Sequence, residues 1–214
     1  MRKPTRPFYN RNTIEVAIQL LGCEIVSLVG GTMTRGIIVE TEAYRGPDDP
    51  ACHAFVGRTR RNNVMFGPPG HLYVYFTYGN HYMLNVVTEH DGYPAAVLLR
   101  AIEPYFGLNA MRKRRGIEVI EDLCSGPGKL AKALGITTSE NGTDLCGSKI
   151  YIKEPSGRKF NIISSPRIGI GQRGHKKLWR FFIDGNPNVS AGTKYVKESS
   201  LPLAAARAAG FELD

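Results

Sequence analysis

The sequence predicts an α+β fold, a single compact domain with a curved, mostly antiparallel sheet flanked by helices and one protruding β-hairpin. Three observations lead there. Runs rich in β-branched and aromatic residues follow one another through short turns, which favours antiparallel pairing over βαβ crossovers. The helical stretches are few and do not alternate with the strands. The 214 residues, 42% hydrophobic and 22% charged, show no repeat and no internal break in composition, as one well-packed core requires.

The elements follow in order. Residues 13–22 form a short amphipathic helix with Gly22 as its stop. Strands are predicted over 36–44, 71–78, 81–88 and 95–102. Tyr73-Val-Tyr-Phe-Thr-Tyr78 alternates aromatic with other side chains, Gly79-Asn80 makes the tight turn, and His81–Val87 returns. Tyr78 lands at the hairpin tip, either as a wedge for nucleic acid or as a cover for its own turn. Helices are predicted over 107–115 and 127–134, the second ending at Gly135, and further strands over 148–153, 166–171 and 178–184. The domain takes residues 1–200. The tail Leu201–Asp214, with its Ala-Ala-Ala-Arg-Ala-Ala run, is a frayed segment to which no function is given.

Charge narrows the function. With 28 Lys and Arg against 19 acids the net charge is +9 and the pI near 9.5, which favours a polyanionic partner. Positive residues cluster at Arg58–Arg61, Arg112–Arg115 and Arg173–Arg180. No apolar run approaches the roughly 20 residues of a membrane span. The basic N-terminus has no cleavable apolar core behind it, so an intracellular protein is expected. Cys23, Cys52, Cys124 and Cys146 form no C-x-x-C pair and lack zinc spacing, so reduced thiols, mostly in the core, are expected and no metal. Gly169-Ile-Gly-Gln-Arg-Gly174 matches a dinucleotide fingerprint literally but lacks the surrounding βαβ unit. Ser125-Gly126-Pro-Gly-Lys129 lacks the Ser or Thr of a P-loop. As a glycine-rich turn opening a helix, it can still hold one backbone phosphate through free N–H groups and Lys129.

Chemistry is expected in Glu40-Thr-Glu42-Ala-Tyr44. With a period of two, Glu40, Glu42 and Tyr44 share one face of a strand, and carboxylates leaving a core can have the raised pKa a base needs. The alternative is an ion pair with Arg35 or Arg45 at the sheet rim. Asp49 reads as a helix cap with Pro50 at the first helical position, which puts His53 in a short helix folded back over Glu42.

These segments carry a resemblance. Glu40-Thr-Glu42-Ala-Tyr44-x-Gly-Pro-x-Asp-x-Ala-x-His53 and Leu72-Tyr-Val-Tyr75-x-x-Tyr78-Gly resemble the alkyladenine (3-methyladenine) DNA glycosylases of the mammalian and bacterial type. Ala96-Val-Leu-Leu-Arg100-Ala-x-Glu-Pro104, Leu123-Cys-Ser-Gly-Pro-x-Lys129-Leu, Arg167-Ile-Gly-Ile-Gly171 and Arg180-Phe continue it in order, over roughly residues 10–190. The resemblance implies a monofunctional base-excision enzyme that flips a damaged purine out of duplex DNA and hydrolyses its N-glycosidic bond, as a monomer with no metal or cofactor. It implies Glu42 as the base that activates water and Arg100, at the end of its strand, as a holder of that water. Tyr44, Tyr75 and His53 would enclose the base, Asn85 would disfavour the guanine 2-amino group, and Tyr78 would fill the gap in the duplex. Glu40 would matter much less than Glu42. No lysine lies in the Glu42–His53 or Tyr73–Asn85 segments, so lyase chemistry through a Schiff base is not expected. Asn80-His81 depart from the bulky apolar residues beside the wedge in the mammalian enzymes. Two other classes fit parts of the pattern: a non-catalytic RNA-binding module, and a hydrolase using Glu40 and Glu42 as a carboxylate pair.

Overall fold

A computed structural model describes residues 2–155, 157, 159–172, 174, 176–190 and 199–200; Arg173 and the tail from Leu201 lie outside them. The chain opens with α1 (Arg6–Tyr9) and α2 (Thr13–Gln19), the latter capped by the Asn12 side chain, which accepts from Ile14 N. Gly22, at φ 80°, then turns the chain into β1 (Glu24–Ser27) and β2 (Thr34–Arg45). A stretch of 3-10 turns, one of them His53–Val56, leads to the hairpin β3 (Leu72–Thr77) and β4 (His81–Val87). After β5 (Ala95–Phe106) come α3 (Leu108–Arg115), α4 (Ile120–Leu123) and α5 (Pro127–Leu134). The remaining strands are β6 (Ile150–Lys153), β7 (Ile162–Ser165), β8 (Arg180–Ile183) and β9 (Ser199–Ser200).

These strands form one antiparallel sheet in the order β3-β4-β5-β2-β8-β7-β9, with β1 and β6 branching from β2. The branch exists because β2 is long: its first half pairs β1 and its second half, Glu40–Glu42, pairs β8. Side-chain alternation divides β3, β4 and β5 between two faces. Leu72, Val74, Leu84, Val86, Val97 and Leu99 join the main core, with Val16 and Ala17 of α2 and Leu130 and Leu134 of α5. Tyr73, Val87 and Ala96 belong to a second apolar cluster with Cys52 and Met65, and Tyr44 and Tyr75 pack against it. All four cysteines are free, and three are buried. No helix among the described residues is long and apolar enough to cross a membrane.

Three expectations need correction. β1 is a full strand although its four residues carry no alternation, because all four are buried. The strand expected over 166–171 does not form. The ladder of β7 stops at Ser165, since Pro166 has no N–H to donate, and Gly169 and Gly171 at φ 77° and 58° turn the chain into a loop. β5 runs on to Phe106, past the expected end at residue 102, so Arg100 sits in mid-strand and not at its end.

The hairpin tip also differs in detail. Asn80 N donates to Thr77 O at 3.3 Å, and the residues at positive φ are Tyr78 (53°) and Gly79 (70°). Tyr78 is therefore inside the turn, in a conformation that costs an L-residue roughly 1–2 kcal/mol. Nothing in the tip repays that locally, because Tyr78 is 78% exposed. Replacing Tyr78 with Gly is expected to raise stability by about 1 kcal/mol, the strain relieved less glycine's extra chain entropy. A urea or thermal midpoint measures it, and a clearly lower midpoint would mean the side chain packs against its own turn.

Candidate active site

Two irregularities in the central ladder build the site. Between the pairs Ile38↔Ile102 and Glu40↔Ala101, β2 has an extra residue, Val39. Between Glu40↔Ala101 and Thr41↔Leu99 the extra residue is Arg100, in β5. Bulges re-aim side chains. Here successive bulges in opposite strands cancel in register and swing Arg100 toward both carboxylates of β2. Its Nε donates to Glu40 Oε1 at 2.8 Å, and its Nη1 lies 3.2 Å from Glu42 Oε1.

The two carboxylates have different surroundings. Glu40 is wholly buried and saturated: Arg100 Nε, Arg180 Nε (2.6 Å) and Ser190 Oγ (2.9 Å) donate to Oε1, and Ser190 N (2.8 Å) to Oε2. Burial alone would raise its pKa, but Arg100, Arg180 and the Ser190 N–H hold it below the ordinary value. The raised carboxylate expected at this position is thus not found. Such a group accepts no further proton at neutral pH, which argues against a working Glu40–Glu42 pair. The rim partners considered for it are engaged elsewhere, Arg35 with Glu24 and Arg45 with Glu89.

Glu42 receives Ile168 N at 2.7 Å on Oε1, beside Arg100, and the Tyr44 hydroxyl at 2.8 Å on Oε2. A carboxylate offers about four acceptor positions. Among the described residues Oε1 has two partners and Oε2 one, so Oε2 keeps an acceptor position. Tyr44 retains its proton, because burial and then the Glu42 charge push its pKa well up.

Tyr44 and Arg100 open onto a cavity of about 550 Å³, within the range of small-ligand pockets. Its walls include His53, Tyr73, Tyr75, Asn85 and Ile168–Gly171, with Tyr78 at its edge. His53 Nδ1 lies 3.0 Å from the Tyr73 hydroxyl, and its ring meets Tyr75 at 4.5 Å between centroids and 67° between planes. A base sandwiched by those two rings would need them parallel and roughly 7 Å apart, two van der Waals contacts. They are therefore adjacent walls in this structure and not two sides of a slot. Burial, helped by the Arg61 charge, lowers the His53 pKa, so the imidazole is neutral at pH 7. Asn85 Nδ2 donates to Tyr73 O at 3.0 Å and approaches Met83 O at 3.5 Å, so what it can offer a ligand is its carbonyl oxygen.

Asp49 is not a helix cap. His53–Val56 starts from Cys52, which makes no side-chain cap. The Asp49 carboxylate is instead buried in a fork with Arg167, whose Nη2 donates to Oδ1 at 2.7 Å and whose Nη1 also reaches Ala43 O at 2.8 Å. The Arg167 guanidinium lies 4.6 Å from the Tyr44 ring centroid. That fork ties the loop carrying Ile168 to the segment that carries His53. Sequence reasoning missed Arg167, Ile168 and Arg180 as parts of the site. The signals were the run Arg167-Ile-Gly-Ile-Gly171, which reads as a strand, and Arg180-Phe, both quoted for the resemblance without a role.

Ser125, Gly126 and Lys129 lie at the start of α5, where the Gly126 N–H expected to be free donates to Cys124 O at 3.0 Å. Lys129 Nζ donates to Ser125 Oγ at 3.1 Å and to Asp122 Oδ1 at 3.4 Å, and Pro127 lines the cavity. The His81 ring packs so closely on Gly128 that a Cβ there would meet it at 2.8 Å, which joins the hairpin to the start of α5. Much of the basic charge is committed elsewhere. Arg114 donates to Ala133 O and Val29 O, Arg115 to Leu123 O, and Arg112 pairs with Glu118. Arg180 is buried against Glu40.

Comparison with known proteins identifies relatives along most of the chain. A family profile described as methylpurine-DNA glycosylase matches residues 7–187. The chain is 49% identical over 192 residues to a provisionally named 3-methyladenine DNA glycosylase of Chlorobaculum tepidum, covering 89% of this chain and 91% of that protein. Proteins with the same provisional name from Clostridium acetobutylicum (45% over 199 residues, 88% and 97% covered) and Methanocella arvoryzae (48% over 190, 86% and 94%) are similar to it as well.

Because Glu40 joins two buried guanidiniums, Glu40→Gln is expected to destabilise the protein by roughly 3–5 kcal/mol, measured by chemical denaturation. The sign with pH follows from a depressed folded pKa. The contribution is complete above the unfolded value near 4.3 and is lost as pH falls through the folded value. The gap between wild type and Glu40→Gln should thus be widest at neutral pH and narrow below about pH 4.

Proposed function

We propose, from the premise that this chain belongs to the methylpurine-DNA glycosylase family and is a DNA glycosylase, that it removes alkylated or deaminated purines from duplex DNA by a Glu42-activated water. The observation that carries the reading is the Glu42 carboxylate, oriented by three donors with one acceptor position left, beside an aromatic cavity under an exposed hairpin tyrosine.

The substrates are 3-methyladenine, 7-methylguanine, hypoxanthine and ethenoadenine as a class, and the product is an abasic site. Extruding a nucleotide costs a few kcal/mol, less for a damaged base. Tyr78, rigidly set in its turn and largely exposed, fills the space left in the stack. The flipped base enters the cavity against Tyr44, His53 and Tyr75. As the glycosidic bond breaks, positive charge grows on the sugar, and Glu42 Oε2 takes a proton from the water that adds to it. General-base help of this kind is typically worth about 10²–10⁴-fold. Arg100 orients Glu42 and is itself fixed from behind by Glu40. Ser125 and Lys129, in the turn that carries Pro127 of the cavity wall and is shaped by Gly126, serve a backbone phosphate. The enzyme acts as a monomer. Base removal is read as simple hydrolysis without strand cleavage, since no lysine lies in the Glu42–His53 or Tyr73–Asn85 segments.

The reading is tested by release of free base from alkylated duplex DNA. Glu42→Gln keeps the shape and loses the proton acceptor, so base release is expected to fall at least 10²-fold while affinity for abasic DNA stays within a few-fold. Near-normal turnover by that variant would remove Glu42 as the base. Asn85 is held by its bond to Tyr73 O, with Met83 O at 3.5 Å, and the bulk of its fixed side chain is what would meet a 2-amino group. Asn85→Ala should accordingly raise release of guanine-type bases relative to hypoxanthine several-fold, and an unchanged ratio would place that selectivity elsewhere.

A further inference from the structure

Among the described residues the buried charges beside the cavity are paired. Glu40 and Glu42 face Arg100 and Arg180, and Asp49 faces Arg167. Arg61 has no carboxylate within ion-pair reach among the described residues. Its guanidinium carbon lies 5.1 Å from the Tyr75 ring centroid, and its Nη2 donates to Phe76 O at 3.2 Å. The loop that delivers it is fixed: buried Asn62 donates to His53 O and Gly57 O and accepts from Thr59 N. Arg61 also acts on its neighbours, disfavouring the cationic form of His53.

We propose that Arg61 is a specificity-determining residue that biases the base pocket toward uncharged damaged purines and against cationic alkylated ones. This rests on the reading of the cavity as a base pocket. A base stacked on Tyr75 lies about 3.5 Å from that ring. Whichever face it takes, its charge then comes within about 9 Å of the guanidinium. At effective dielectrics between those of a protein surface and bulk water, repulsion over that distance is worth roughly two- to twentyfold, and Arg61 is exposed enough that the lower half of that range applies. The same guanidinium already occupies the Tyr75 π-system, so the ring has less attraction left for a second cation. An uncharged hypoxanthine or ethenoadenine meets neither penalty.

The test compares wild type with Arg61→Gln and Arg61→Lys in single-turnover release of 7-methylguanine, which is cationic, and hypoxanthine from otherwise identical duplexes. Arg61→Gln should raise the ratio of cationic to neutral base release about two- to tenfold at low salt. The gain should shrink as salt is raised, because the Debye length at physiological salt is only about 8 Å. Arg61→Lys keeps the charge and should stay near the wild-type ratio. An equal fall on both substrates would make Arg61 a phosphate contact and overturn the proposal, as would a ratio that is unchanged or lowered. If the wild type releases neither base, the pocket reading itself fails, a result separate from any shift in ratio.

Discussion

The Arg100 guanidinium, held between two buried carboxylates of β2, is the interaction on which the site depends. Four charged groups are linked in a row inside the sheet, Arg180 to Glu40, Glu40 to Arg100 and Arg100 to Glu42. Burying any one alone would cost several kcal/mol. Together they are tolerable only because each charge finds partners at good geometry, and that geometry comes from the paired bulges. A regular ladder would leave Arg100 opposite a single partner. The arrangement also separates duties between two like residues. Glu40 binds both buried guanidiniums through Nε and the Ser190 N–H and hydroxyl and becomes structure, whereas Glu42 has fewer partners.

Much of this architecture was legible in the sequence. The period of two in Tyr73-Val-Tyr-Phe and in Leu84-Asn-Val-Val places Tyr73, Tyr75 and Asn85 on the pocket face and Leu72, Val74 and Leu84 in the core, as the structure has them. Tyr44, His53, Arg100 and Asn85 line one cavity, and the buried Glu42 lies behind it, bonded to Tyr44 and beside Arg100. What escaped was set by long-range pairing. The bulges at Val39 and Arg100 depend on which residues face each other across two strands, and nothing local in Glu40-Thr-Glu42 announces them. The Arg167–Asp49 fork joins positions 118 residues apart. The loop over 166–171 looked like a strand because Ile168 and Ile170 alternate with glycines. Pro166 and the positive φ of those glycines decide otherwise.

Charge was the signal that needed most revision. A net charge of +9 suggested broad basic faces, yet several of the arginines responsible are internal fasteners. Arg114 and Arg115 satisfy carbonyls at helix ends and turns, Arg180 neutralises Glu40, and Arg167 closes the pocket wall. Net charge counts these residues equally with exposed ones, whereas attraction to a distant polyanion depends chiefly on charge without a close counter-ion.

The hydrogen bond from Ile168 N to Glu42 has one more implication. The donor belongs to the main chain, so every residue type except proline supplies it, and an alanine scan across the loop would leave it untouched. One of three contacts on the Glu42 carboxylate is thereby hidden from ordinary mutagenesis. Drift at position 168 is free to alter side-chain packing while the donor remains. Only chemistry on the backbone itself, such as an amide-to-ester exchange between Arg167 and Ile168, would isolate what that one proton contributes.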